Sequence, residues 1–184
     1  MNRISALYLT LAGATCMSFV GLLIRLINEA DGFQILFYRS FGMSAIILIV
    51  ISLKRKINPL IVFKSLDKND ILMGAFFSLA FLTYVFSMLN TSIASTLFLL
   101  AMSPIFAGII GWAWIGEKPK KIVWLSMFIA FIGIFIMIGD GLKFSKTFGN
   151  LLAILSAIFF ALGLVQARKS KKNDVLGGTL LGAL

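Results

Sequence analysis

The stretch ILFYRSFGMSAIILIV, residues 35–50, decides the class of fold. It is apolar almost throughout, it does not alternate between apolar and polar, and it carries one guanidinium, Arg39. Extended to the flanking apolar residues it runs over 33–53. As a helix rising about 1.5 Å per residue, such a run is about 30 Å long, the thickness of a bilayer's hydrocarbon core. Continuous apolar runs favour helices over barrel strands, which alternate.

The rest of the 184-residue chain agrees: 60% of it is hydrophobic and 13% charged. Soluble domains average about 45–50% apolar and about 25% charged, so a water-soluble fold of this size cannot hide this much apolar surface. Six segments of spanning length stand out, at 5–27, 33–53, 70–89, 93–115, 121–139 and 149–167, and VLGGTLLGAL at 175–184 forms a partial seventh. The expected fold is all-α, a polytopic transmembrane helix bundle. The N-terminal run, too long for a signal peptide's apolar region, is taken as an uncleaved first helix. The last segment would cross only half a bilayer, so the chain is expected to be a truncated form or fragment of a longer one.

A net charge of +10 would point to nucleic acid in a soluble protein, but here the cations cluster between spans. Arg3, the 54–68 cluster, Lys118, Lys120, Lys121 and the 168–172 cluster fall on one side and hold thirteen Lys and Arg; the other side has only Lys143 and Lys146. The positive-inside rule then places the N-terminus in the cytoplasm, with the cytoplasmic membrane as the expected location. Trp112, Trp114 and Trp124 fall at the same basic end, as interfacial aromatics do.

Helix six, NLLAILSAIFFALGLVQARKS, can be laid on helix one with Gly163 on Gly21, although the two would run in opposite directions through the membrane. A restart in reversed orientation after five helices is how inverted-repeat transporters are built. The expected division is a five-helix repeat at 1–139 and the start of an inverted second repeat at 140–184.

Over essentially its whole length the chain resembles the EamA-type members of the drug/metabolite transporter superfamily. The resemblance is carried by LNTSIASTLFLLAMSPIFAGIIGWAWIGEKPKKIVWLSMFIAFIGIFIMIG at 89–139, with Ser103-Pro104 in the fourth span and Gly116-Glu117 at its inner end. FYRSFGMSAIILIVISLKRK at 37–56 is similar to the family's second span, and GNLLAILSAIFFALGLVQARK to the opening of its second repeat. The resemblance implies ten helices in two inverted repeats, about four more than this chain holds.

Arg39 lies about 9 Å inside the outer end of its span. A charge at such depth costs at least about 2.5–3.5 kcal/mol and needs a partner, a cavity or water. It either attracts an anionic substrate in a cavity or is structural, snorkelling outward or pairing with Glu29 or Asp31. Arg25 and Glu29 stand at helical salt-bridge spacing near the interface. Thr83, Ser87 and Asn90 share one face of helix three, and Ser92, Thr96 and Ser103 one face of helix four. With Tyr38, Tyr84 and Arg39 they form the expected lining of an outward cavity, unless the hydroxyls simply bond between helices. Pro104 cannot donate to the carbonyl of Leu100, so it is a candidate hinge.

The chain has no histidine, no acidic pair within a span and no phosphate loop, so an enzyme is not expected, nor a cofactor or metal. A proton-coupled cation antiporter would carry a carboxylate deep in a span. Cations without matching buried acids favour an alternating-access permease for a small anionic or zwitterionic metabolite, such as an amino acid. The alternative from another class is a non-transporting membrane assembly subunit. Expected partners are the small-molecule substrate, the lipid bilayer, and either a second copy of the chain or a missing C-terminal half.

Overall fold

A computed structural model describes residues 3–26, 31–55, 66–116, 118–139, 147–170 and 175–184, a few helical side chains excepted. The side chain of Arg25, its partner Glu29, Glu117, Pro59, the 56–65 part of the first basic loop, the 140–146 loop, Lys171 and Lys172 lie outside the described residues.

The elements are α1 (Arg3–Leu26), α2 (Gly32–Arg55), α3 (Lys68–Asn90), α4 (Ile93–Leu100), α5 (Ser103–Ile115), α6 (Lys121–Gly139), α7 (Thr147–Lys169) and α8 (Leu176–Ala183). Every element among the described residues is helical. Five stretches are long and apolar enough to cross a membrane: 7–24 in α1, 32–53 in α2, 68–90 in α3, 93–115 across α4 and α5, and 147–169 in α7. In α6 the apolar stretch Lys121–Gly133 falls in the shorter class.

The fourth apolar run, expected as one kinked helix, is two helices. Pro104 lacks the N–H that would reach Leu100, and the ladder gives way just before it. Ala101 N still donates to Leu97 O at 2.9 Å, Met102 N donates to Leu99 O in a tighter turn at 3.1 Å, and α5 restarts from Met102 O. Ser92 caps α4, accepting from Ser95 N at 3.0 Å. Gly116 closes α5 with φ +80, a left-handed position that a residue with a Cβ rarely adopts.

α3 is the axis of the bundle, packed most extensively against α7 and then α8. α7 runs antiparallel to it, and a side-chain hydrogen bond clamps each end. Thr91 Oγ1 donates to Asn150 Oδ1 at 2.8 Å, and Gln166 Nε2 donates to Asn69 Oδ1 at 3.1 Å. Between these clamps α7 turns Ala153, Ala157 and Ala161, all fully buried, into the contact. Without a hydrophobic drive between helices in lipid, such small residues let backbones approach and gain van der Waals contact.

α8 packs alongside α3 in the same direction. A Cβ on Gly74 would come 2.5 Å from Leu181 Cβ and 3.2 Å from Gly178 O, so no side chain fits between the two backbones. Ser78 Oγ donates weakly to Leu181 O and Gly182 O at 3.5 and 3.4 Å. The Gly74/Ser78 pair is thus a close helix contact, as its small-xxx-small spacing implies.

α2 packs against both α8 and α3. Ile35 joins Ile24, Val85 and Met88 in one apolar cluster, while Ile51 joins Leu180 in another. The remaining faces of α1, α2 and α6 carry exposed large apolar side chains, among them Leu7, Leu11, Phe41, Ile46, Ile122 and Phe128. In water these faces would drive aggregation; against acyl chains they are matched.

Candidate functional site

Arg39 projects from the first third of α2 toward the face of α3 that repeats aromatics at Phe77, Phe81 and Tyr84. Its guanidinium carbon lies 4.9 Å from the centroid of the Phe81 ring and 5.4 Å from that of Tyr84. A desolvated cation over an aromatic face is stabilised by about 0.5–2 kcal/mol per ring. Two rings therefore offset much of the cost of holding the charge at this depth. They do not supply acceptors for its N–H groups. Nη1 is buried with no hydrogen-bond partner among the described residues, and no ion pair to Arg39 is seen among them. Asp31 is exposed beyond the start of α2, where its backbone N–H donates to Gln34 Oε1 at 3.3 Å.

Arg39 and the two rings line a cavity of about 570 Å³. Val20 of α1, Met43 of α2, Phe77 and Ala80 of α3, and Leu97 and Leu100 of α4 complete one half of its wall. The other half comes from the C-terminal part of the chain: Ser156, Phe160, Leu164 and Ala167 of α7, Val175, and Thr179 of α8. The cavity is thus largely apolar, with one cation and a few hydroxyls. Two of these hydroxyls already donate to backbone, Ser156 Oγ to Ala80 O at 2.8 Å and Thr179 Oγ1 to Val175 O at 3.0 Å, which leaves them their lone pairs. An apolar cleft with few, convergent polar groups is the usual form of a small-molecule site.

Of the residues expected to line a cavity, the structure brings Arg39 and Tyr84 together there. Tyr38 is elsewhere: it is 74% exposed, with its ring edge-on to Phe37 at 5.7 Å. The remaining polar residues are not in the cavity lining. Thr83 Oγ1 donates to its own helix at Leu79 O, 2.7 Å away. Ser87 and Thr96 share a buried hydroxyl–hydroxyl hydrogen bond of 2.8 Å between α3 and α4. Asn90 is exposed and donates to Phe86 O at 2.7 Å, and Ser103 is buried at the start of α5. Pro104 sits in the first turn of α5, next to the break between α4 and α5.

The sequence reading missed Phe77, Phe81, Phe160, Ser156 and Thr179. Phenylalanines in an apolar span carry no compositional signal. The spacing of Phe77, Phe81 and Tyr84 on one helical face, opposite an intramembrane arginine, was the available clue. Among the described residues no group of three or more His, Cys, Asp or Glu could hold a metal ion.

The family model described as the EamA-like transporter family matches residues 4–139. Neither a curated protein nor a solved structure gives a significant match.

Proposed function

The chain belongs to the EamA-like transporter family, and from that premise we propose that it moves a small anionic or zwitterionic metabolite across the cytoplasmic membrane by alternating access. The observation that carries this reading is the Arg39 guanidinium, held over two aromatic rings in a largely apolar cavity with Nη1 lacking an acceptor among the described residues. A carboxylate is the acceptor that suits it, since charge-assisted hydrogen bonds to a guanidinium are short and strong. The apolar wall would receive the rest of the molecule.

The break between α4 and α5 supports the motion such a carrier needs. It interrupts one wall at Leu100, a cavity residue, and local helix breaks are where transporters bend. That α7 and α8 line part of the cavity fits the view that residues 140–184 open a second, inverted repeat. A second copy of the chain or further helices would then complete the carrier. The thirteen-to-two bias of basic residues supports a cytoplasmic N-terminus.

The test is uptake into liposomes containing the purified protein, offered an amino acid, a monocarboxylate and a quaternary amine. Saturable uptake of the first or second is expected, and none of the amine. Arg39→Gln, verified as folded by thermal unfolding, should lower apparent affinity about tenfold or more. Undiminished uptake by a folded Arg39→Gln protein would remove Arg39 from the site.

A further inference from the structure

The aromatic rings lining the Arg39 cavity fall into two pairs. Phe81 and Tyr84 hold the guanidinium. Phe77, one turn before Phe81 on α3, continues the wall away from the charge: its ring stacks beside that of Phe81, with centroids 6.2 Å apart and planes 18° apart. Phe160 of α7 then meets Phe77 at 5.6 Å with the planes tilted by 48°. Phe77 is buried and Phe160 partly exposed, and both line the cavity. A run of rings therefore leads from Arg39 to a tilted corner made by Phe77 and Phe160, neither of which stacks on a charged group among the described residues.

Two glycines seat the middle ring of that run. A Cβ on Gly163 of α7 would lie 2.6 Å from Phe77 Cε1 and 2.8 Å from Cδ1, and one on Gly182 of α8 would lie 2.5 Å from Phe77 Cβ. In a close-packed contact even one methyl at Gly163 has to displace the ring. Gly163 does not itself line the cavity, so it acts on the wall only through Phe77.

We propose that the substrate is an arylalkyl carboxylate, with its carboxylate on Arg39 and its ring against the Phe77–Phe160 corner. This rests on the Arg39 cavity being the transport site and adds what fills its apolar wall. An aliphatic tail would also be buried there, but a ring gains the offset or edge-to-face contact that aromatic pairs prefer, at centroid separations of roughly 4.5–7 Å. The spacing suits a short molecule. The Phe77 centroid lies within about 11 Å of the guanidinium carbon. A carboxylate bonded to Arg39 and a ring at stacking distance from Phe77 are then joined by a linker of about two carbons.

The experiment is equilibrium binding of radiolabelled phenylpropionate to the full chain in detergent micelles, with propionate and cyclohexylpropionate as competitors. Propionate keeps the carboxylate and loses the ring, and should compete at least about tenfold more weakly than unlabelled phenylpropionate. Cyclohexylpropionate keeps the bulk and loses the aromaticity, and should compete about threefold more weakly. Gly163→Ala should lower phenylpropionate affinity about fivefold and leave that of propionate unchanged, a split that a general loss of packing does not produce. Phe160→Leu, which leaves the glycine contact intact, should erase the preference for phenylpropionate over its cyclohexyl analogue, and serves where Gly163→Ala fails to fold. Propionate competing as well as phenylpropionate, with both bindings lost in Arg39→Gln, would overturn the aryl assignment and leave Arg39 as the carboxylate site. Equal competition by the cyclohexyl acid would also overturn it, since the wall would then select bulk alone. Phenylpropionate binding undiminished in a folded Arg39→Gln protein would overturn both this assignment and the transport reading beneath it.

Discussion

The guanidinium of Arg39 and the ring of Phe81, on α2 and α3, stand 4.9 Å apart, with the cation over the aromatic face. If that contact anchors the arginine, the ring's quadrupole matters and not only its volume. Phe81→Leu keeps an apolar side chain but removes the quadrupole, and should lower stability by about 0.5–2 kcal/mol. Tyr84→Phe keeps a ring and should cost less. Thermal unfolding of both variants in mixed lipid–detergent micelles checks this. A Phe81→Leu protein as stable as Tyr84→Phe would mean the rings merely neighbour the charge.

Tyr38 and Tyr84 separate cavity from lipid face. Tyr84 lines the cavity, whereas Tyr38 points its ring out beside Phe37. Tyr38→Ala is expected to leave substrate affinity in liposomes unchanged, and Tyr84→Ala to weaken it. An equal loss from both substitutions would place the binding surface outside this cavity.

What could be foreseen from the residues divides along the same line. Helix positions followed from hydrophobic length, because a bilayer demands about 20 apolar residues whatever their identity. Arg39 stood out because charge in a span is expensive. The lining did not stand out, because lipid-facing and cavity-facing side chains in an apolar helix share one composition. Periodicity places Thr83, Ser87 and Asn90 on one face of helix three and Ser92, Thr96 and Ser103 on one face of helix four. The hydroxyls of Thr83, Ser87 and Thr96 bond to the α3 backbone or to each other, since buried hydroxyls satisfy themselves on the nearest carbonyl or hydroxyl. The break at Pro104 followed from its missing N–H, but its extent, two separate helices, depends on the turn at Ala101 and Met102 that no pattern signals.

The contact of α3 with α8 should be intolerant of a single methyl. At Gly74 a Cβ meets Leu181 Cβ at 2.5 Å and the Gly178 carbonyl at 3.2 Å, so Gly74→Ala must push two backbones apart. Overpacking of this kind costs about 1–3 kcal/mol. Gly42, in the middle of α2, has nothing within 4 Å of a built Cβ, and Gly42→Ala should be neutral or stabilising by up to about 1 kcal/mol. Unfolding midpoints of the two variants should move in opposite directions, or only that of Gly74→Ala should fall.

Ser87 and Thr96 join α3 to α4 through a single buried 2.8 Å hydrogen bond. A double-mutant cycle with Ser87→Ala and Thr96→Val is expected to give a coupling of about 0.6–2 kcal/mol, the range for hydrogen bonds between membrane helices. Additive losses would show that each hydroxyl is satisfied independently, for Thr96 by its 3.2 Å bond to Ser92 O.

The Pro104→Ala variant regains the N–H that can donate to Leu100 O, which lets α4 and α5 anneal into one helix over 93–115. Annealing removes a break inside an apolar span, so stability should rise, by at most about 3 kcal/mol. If the break serves the proposed alternating access, the straightened helix should slow turnover while leaving substrate affinity intact, since Pro104 does not line the Arg39 cavity. Uptake at saturating substrate reads turnover, and hydrogen exchange at Ala101 and Met102 reads annealing as slower exchange of their amides. Slower exchange with undiminished turnover would make the break a fixed packing kink, set by proline to let Leu100 reach the cavity wall and not to move it.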